Sequence, residues 1–201
     1  MECSLALCFK DFAMLATDKT SARSIMVMKD DYDKAFKLSD KMLMSVVGES
    51  GDTTQYAEFI AKNIQLYKMQ NGYELSPKAS ANFTRRNLAD YLRSRTPFSV
   101  NILMAGFDEE MEECELYVLD YLASMVKAPF AAHGYGGFFT TSIMDREYRK
   151  DMTEAEAYDL MKACVREVHK RLIINLPNFQ VQVINKEGIK SLEDITIKNL
   201  K

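Results

Sequence analysis

Apolar residues open the chain in a two-residue rhythm. Leu5, Leu7 and Phe9 alternate with Ala6 and Cys8, Lys10-Asp11 supplies a turn, and Phe12 to Ala16 runs back almost wholly apolar. A period of two is the strand signal, and a strand without polar positions is one covered on both faces. Ala35 to Val47 repeats the behaviour, with Phe36 and Leu38 on one side of polar Ser39-Asp40-Lys41 and Met42 to Val47 on the other. A second hairpin is predicted there.

The period then lengthens. Tyr56, Ile60, Ile64 and Tyr67 recur at helical spacing. The predicted helix starts near Asp52, whose carboxylate can cap the free amides, with Gln55 completing a capping box, and stops at Asn71-Gly72. Ser76-Pro77 puts a cap and a first-turn proline in order for a second helix, which runs through Phe83, Leu88 and Tyr91 towards Arg95 until Pro97 breaks it. Phe98 to Phe107 returns to strand character. Leu116 to Leu122 reads as its neighbour across an acidic, exposed turn, Asp108 to Glu115, and Ala131 to Gly137 reads as a glycine-bearing loop before a short helix, Phe138 to Asp145. Thr153 with Glu156 is another capping box, opening a helix with Ala157, Leu160, Met161, Cys164 and Val168 on one face. Phe179 to Ile184, a turn at Asn185 to Gly188 and a last short strand follow. This order predicts an α+β protein, packed most simply as a four-layer αββα sandwich with two antiparallel sheets between helix layers.

Composition narrows the picture. With 201 residues, 47% of them hydrophobic, the chain can form one domain, 1–201, whose core buries roughly 70% of the unfolded surface. A net charge of -3 without long runs of like charge predicts neither nucleic acid nor an anionic membrane as partner. No apolar run approaches the ~20 residues of a membrane span, and the start lacks the basic and apolar regions of a secretory signal. Cys3, Cys8, Cys114 and Cys164 are scattered and never form a CxxC pair, which fits buried thiols in a reducing compartment. Only His133 and His169 are present, without ligand-like clustering, so no zinc site and no cofactor are expected.

The element order alone suits several α+β folds; longer motifs are more specific. The runs GESGDTTQYAEFIAKNIQLYKMQNGYELSP, ANFTRRNLADYLRSRTPFSVNILMAGFD and YLASMVKAPFAAHGYGGFF fall in the order and at the spacing found in the beta subunits of the eukaryotic 20S proteasome. The chain resembles that family from Met1 to about Ile195. The resemblance implies the N-terminal nucleophile hydrolase fold, in which active members attack the peptide bond with the hydroxyl of an N-terminal threonine. An ungapped count places Asp18 and Lys34 at the two supporting positions that tune proton transfer, and Glu2 at the position of the threonine. Tyr135 stands where the glycine-serine-glycine loop has its serine, and Leu172 and Asn175 stand where an aspartate and a serine follow the last long helix. A carboxylate cannot act as the alkoxide-type nucleophile, so the resemblance implies a noncatalytic structural subunit.

Several expectations accompany this reading. The resemblance implies beta-3 and beta-5 as ring neighbours, an alpha ring above, an opposite beta ring below, 28 subunits in all, and a place in cytoplasm and nucleus. Only Met1 precedes Glu2, so no propeptide is expected to be removed, and Met1 is expected to stay and be acetylated. Glu2 is expected to pair with Lys34. The segment Arg23 to Met28 is expected to touch an active neighbour. Arg85, Arg86, Arg93 and Arg95 read as a solvated or interface face, not a phosphate site. Two rivals remain: a hydrolase using a trimmed N-terminal Cys3, although strand alternation turns Cys3 to the opposite face from Glu2, and a free-standing binding module.

Overall fold

A computed structural model describes residues 2–23 and 26–200. The expectation for Met1, and the Ser24 and Ile25 part of the Arg23 to Met28 segment, lie outside the described residues.

The opening hairpin is β1 (Cys3–Cys8) and β2 (Phe12–Asp18), paired with Leu5 opposite Ala16. All six β1 residues are buried. Leu5 and Leu7 face one layer, and Ala6 and Cys8 face another. The unbroken apolar run thus marks a strand covered on both sides. Two short strands the hydrophobic pattern did not announce, β3 (Ser21–Arg23) and β4 (Met26–Lys29), form a separate ribbon. Then come β5 (Ala35–Ser39) and β6 (Met42–Gly48), joined across Ser39-Asp40-Lys41 as predicted.

Two helices follow, α1 (Ser50–Asn71) and α2 (Pro77–Leu92). Gly72 ends α1 in the left-handed conformation, and the Ser76 hydroxyl accepts the Ala79 N–H at the start of α2. The capping box at Asp52 does not form. The helix begins earlier, from Glu49, and the Asp52 carboxylate accepts the Ser99 N–H at 2.9 Å, tying the first turn to the next strand. Tyr67 lies half-buried, its hydroxyl bonded to that of Tyr73, so the buried face of α1 ends at Ile64. The second helix ends at Leu92, short of Arg95, where the Ser94 N–H returns to the Tyr91 carbonyl.

Strands β7 (Val100–Asp108) and β8 (Glu113–Leu119) pair through a turn tighter than the exposed Asp108 to Glu115 segment expected. Both acidic ends are buried. Asp108 accepts the Glu110 and Met111 amides, and Glu115 meets Lys127 at 2.8 Å and the Tyr117 hydroxyl at 3.0 Å. Satisfied partners are what make buried carboxylates tolerable. Residues expected to extend that strand, Tyr121 and Leu122, are exposed in a turn instead.

Another correction concerns Ala131 to Gly137. After β9 (Met125–Lys127), most of that predicted loop is strand β10 (Phe130–Gly134), paired along β1 with Ala131 opposite Ala6. Next come α3 (Gly137–Glu147), α4 (Glu154–Arg171), β11 (Asn178–Asn185), β12 (Gly188–Ser191) and β13 (Ile195–Thr196). The Thr153–Glu156 capping box forms in both directions.

One sheet runs β10-β1-β2-β11-β12, with β13 beside β11, and the other runs β5-β6-β7-β8-β9. Their ladders are antiparallel throughout. Three apolar layers hold the four tiers together. Leu5, Leu7, Val181 and Val183 pack beneath Leu160, Cys164 and Val168 of α4. Met44, Val46, Ile102 and Met104 pack beneath Tyr56, Ile60 and Leu88 of α1 and α2. Between the sheets lie Ala6, Leu15, Leu43, Leu103, Ala105 and Leu116. The αββα sandwich forms as the sequence predicted. Among the described residues no helix is long and apolar enough to cross a membrane.

Candidate functional site

The β1–β2 hairpin sets the site. Ser4 pairs with Thr17, so Glu2, just before β1, and Asp18, at the end of β2, emerge at the same end of the sheet. Lys34, just before β5, is anchored to the other sheet, its carbonyl accepting the Val46 N–H. Its side chain reaches across the sandwich. Lys34 Nζ lies 2.8 Å from Asp18 Oδ2, 2.8 Å from the Thr20 carbonyl and 3.2 Å from Glu2 Oε1. Asp18 also accepts the Cys3 N–H at 2.8 Å and the Thr20 N–H at 3.1 Å. Glu2 Oε2 accepts the Gly48 N–H at 2.9 Å, so this one carboxylate spans both sheets.

Burial governs the electrostatics. The Lys34 side chain is 2% exposed, that of Asp18 0% and that of Glu2 18%. Burial holds the Asp18 carboxyl above its ordinary range, with Lys34 and the Cys3 amide pulling against it and the Glu2 charge adding to it. The cluster holds two carboxylates around one ammonium. Glu2, Asp18 and Lys34 include neither a hydroxyl nor a thiol to attack a carbonyl carbon, and the ammonium is engaged by three oxygens.

Of the six positions singled out in the sequence, the structure gathers Glu2, Asp18 and Lys34. Tyr135 joins only through its backbone. Its N–H donates to the Glu2 carbonyl at 3.1 Å while its side chain is largely exposed. Leu172 is half-buried against the layer beneath α4, and Asn175 is exposed. Among the described residues neither is hydrogen-bonded to Glu2, Asp18 or Lys34. Gly48 was missed by sequence reasoning. Its available signal was a glycine between an apolar run and a helix start, but a backbone donor leaves no mark of its own in side-chain chemistry.

Cys3 faces the other way, as strand alternation requires. Its thiol is fully buried in the layer under α4, close to Gly136, where an added Cβ would lie 2.1 Å from the sulfur. Burial pushes this thiol well above its ordinary pKa, and the Asp18 charge adds to the effect. The other three cysteines are also free and buried, with Cys8 and Cys164 pushed up to about 12. Because the thiolate is the reactive form, a thiol-alkylating reagent at neutral pH should label these cysteines only after unfolding. Mass-mapped labelling of native Cys3 would overturn that expectation and revive Cys3 as a nucleophile.

Other surface features lie apart from the cluster. Arg85 donates to the Ala123 carbonyl and Arg86 pairs with Asp90. A groove of about 700 Å³ runs past Lys41, Tyr67, Tyr73 and Glu109, and neither Glu2, Asp18 nor Lys34 lines it. Among the described residues no group of three or more His, Cys, Asp or Glu is placed to hold a metal ion.

An αββα sandwich whose first strand begins beside a buried lysine–aspartate pair defines the N-terminal nucleophile hydrolase class. Within that class the chain belongs to the proteasome subunit family, whose family model, described as "Proteasome subunit", matches residues 2–184. It is 45% identical to the proteasome subunit beta type-4 of Saccharomyces cerevisiae, over 96% of this chain and 98% of that one. It is 45% identical to the probable proteasome subunit beta type-4 of Schizosaccharomyces pombe, covering 96% and 99%. It is 42% identical to the proteasome subunit beta type-2-A of Arabidopsis thaliana, covering 98% of each.

Proposed function

We propose that this chain is a noncatalytic beta-ring subunit of the 20S proteasome core particle, corresponding to the subunit named beta type-4 or beta type-2 in its relatives. The observation that carries this reading is the Glu2 carboxylate itself. It stands at the head of β1, beside Lys34 and Asp18, where the family's chemistry needs a hydroxyl. In this reading the chain completes the proteolytic chamber and holds catalytic neighbours in position for ubiquitin-dependent protein degradation. Its partners are adjacent beta-3 and beta-5 subunits, the alpha ring and the opposite beta ring, in a particle of 28 subunits found in cytoplasm and nucleus.

Large exposed apolar side chains support an obligate assembly. Met69 and Phe138 are each 81% exposed and Ile173 is 96% exposed, positions that neighbouring chains would cover. Met26, Val27 and Met28 are exposed on the β3–β4 ribbon, suiting them to contact a catalytic neighbour.

The test is a native particle treated with an electrophile directed at N-terminal nucleophiles, followed by intact and peptide mass of each subunit. Other beta subunits should carry the adduct while this chain remains unmodified. An adduct on this chain, or a chain beginning at Cys3, would overturn the noncatalytic reading.

A further inference from the structure

The Glu2 carboxylate makes two contacts of different kinds, and together they describe a site. One oxygen faces the buried ammonium of Lys34 at 3.2 Å, and the other accepts the Gly48 N–H at 2.9 Å. An ammonium and a backbone amide converging on the two oxygens of one carboxylate form a receptor for that group. The two donors come from the far sheet: Gly48 closes β6, and the Lys34 backbone is bonded to Val46 of the same strand. The carboxylate comes from the near sheet, on the residue before β1. Its carbonyl is held by the Tyr135 N–H and lies against Gly134.

The receptor is therefore built independently of its occupant. Lys34 is fixed by Asp18 and by the Thr20 carbonyl, at 2.8 Å each, and Gly48 by its pairing with Val100. Neither anchor passes through Glu2. Shortening Glu2 to alanine removes the carboxylate and leaves both donors in place, with the charge of Lys34 already balanced by Asp18. We propose that this end of the sandwich is a carboxylate-binding site that the chain fills with its own Glu2, and that a small monocarboxylate takes the site when that side chain is removed. In the intact chain Glu2 then serves as a built-in ligand that joins the two sheets and closes the site to carboxylates from outside, such as the C-termini of peptides.

The experiment compares the full chain with its Glu2→Ala and Glu2→Gln variants in acetate, in chloride at equal ionic strength, and in the neutral isostere acetamide. For Glu2→Ala, acetate in tenfold excess over its Kd should raise Tm by about 3–5 °C relative to chloride. It should also restore slow hydrogen exchange at the Gly48 amide. Acetamide should do neither. The intact chain, and Glu2→Gln, whose amide fills the same volume, should show no acetate-specific response. If Glu2→Ala does not fold in chloride, recovery of folded chain in acetate is the same positive result. An equal response to acetate and chloride, or no response to either while Glu2→Gln folds, would overturn the proposal. This inference stands on the geometry alone. Electrophile labelling of the chain would remove the noncatalytic reading and leave the carboxylate site, whereas failed rescue would remove only the site.

Discussion

Replacing Lys34 with methionine should destabilise the fold by about 3–5 kcal/mol at neutral pH, the cost of leaving a buried charge without its partner. The Lys34 side chain is 2% exposed, and both carboxylates it serves lose their counter-charge at once. Asp18 keeps its bonds from the Cys3 and Thr20 amides, which orient the carboxylate without neutralising it. The pH dependence separates this cause from simple loss of packing. Burial already raises the Asp18 pKa in the folded chain above its unfolded value. A raised carboxyl contributes stability that is fully present below the unfolded pKa and lost as pH rises through the folded one. Without Lys34 the folded value rises further, so the deficit relative to the parent chain should be smallest in mild acid and grow towards neutrality. Urea midpoints across that range measure it, and a pH-independent deficit would assign the loss to packing. Combining Lys34→Met with Asp18→Asn should recover part of the loss.

Gly134→Ala should be comparably damaging for a steric reason. Gly134 has φ +81°, a region costly for residues with a Cβ, and an added Cβ would lie 2.0 Å from the Glu2 carbonyl oxygen. That oxygen already accepts the Tyr135 N–H, and Cys3 pairs with Gly134 across β1 and β10. Relief therefore requires the edge pairing to open. Left-handed strain together with backbone overlap costs about 3–5 kcal/mol. Gly51→Ala is the matched control. A Cβ there meets nothing within 4 Å, so α1 should be unaffected or up to about 1 kcal/mol more stable. Urea unfolding of the two variants side by side checks the contrast. Equal stability would show that the head of β1 can shift to accept a side chain.

The two substitutions probe parts of the site that differ in how plainly the chain displays them. Asp18 and Lys34 were brought to notice by the resemblance, which places them by an ungapped count at the family's two supporting positions. Gly134 was noticed only within a glycine-bearing stretch read as a loop. Its strand character comes from pairing with β1 more than a hundred residues earlier in the chain. No local period in Phe130 to Gly134 could reveal that partner.

Local rules succeeded where the stabilising contact is itself local. Ser76 caps α2 through an amide three residues on, and Thr153 and Glu156 cap α4 reciprocally. Gly72 stops α1 through its own left-handed backbone. Period two and the almost wholly apolar run Phe12 to Ala16 were enough to announce a strand covered on both faces. The same kind of rule failed at Asp52, where a distant Ser99 amide outcompeted the capping role. It failed again at Asp108 and Glu115, which Lys127, Tyr117 and nearby amides allow to be buried. Most strand and helix types are properties of residues and their near neighbours and could be read in one dimension, whereas the missing hydroxyl at Glu2 is legible only against the family the sequence resembles. The pairing of Glu2 with Lys34 was expected and forms at 3.2 Å, whereas the Gly48 amide on the other carboxylate oxygen and the outward turn of Tyr135 arose only when two sheets closed on one another. A buried charge is tolerated only beside a partner, and chain packing decides where that partner lies.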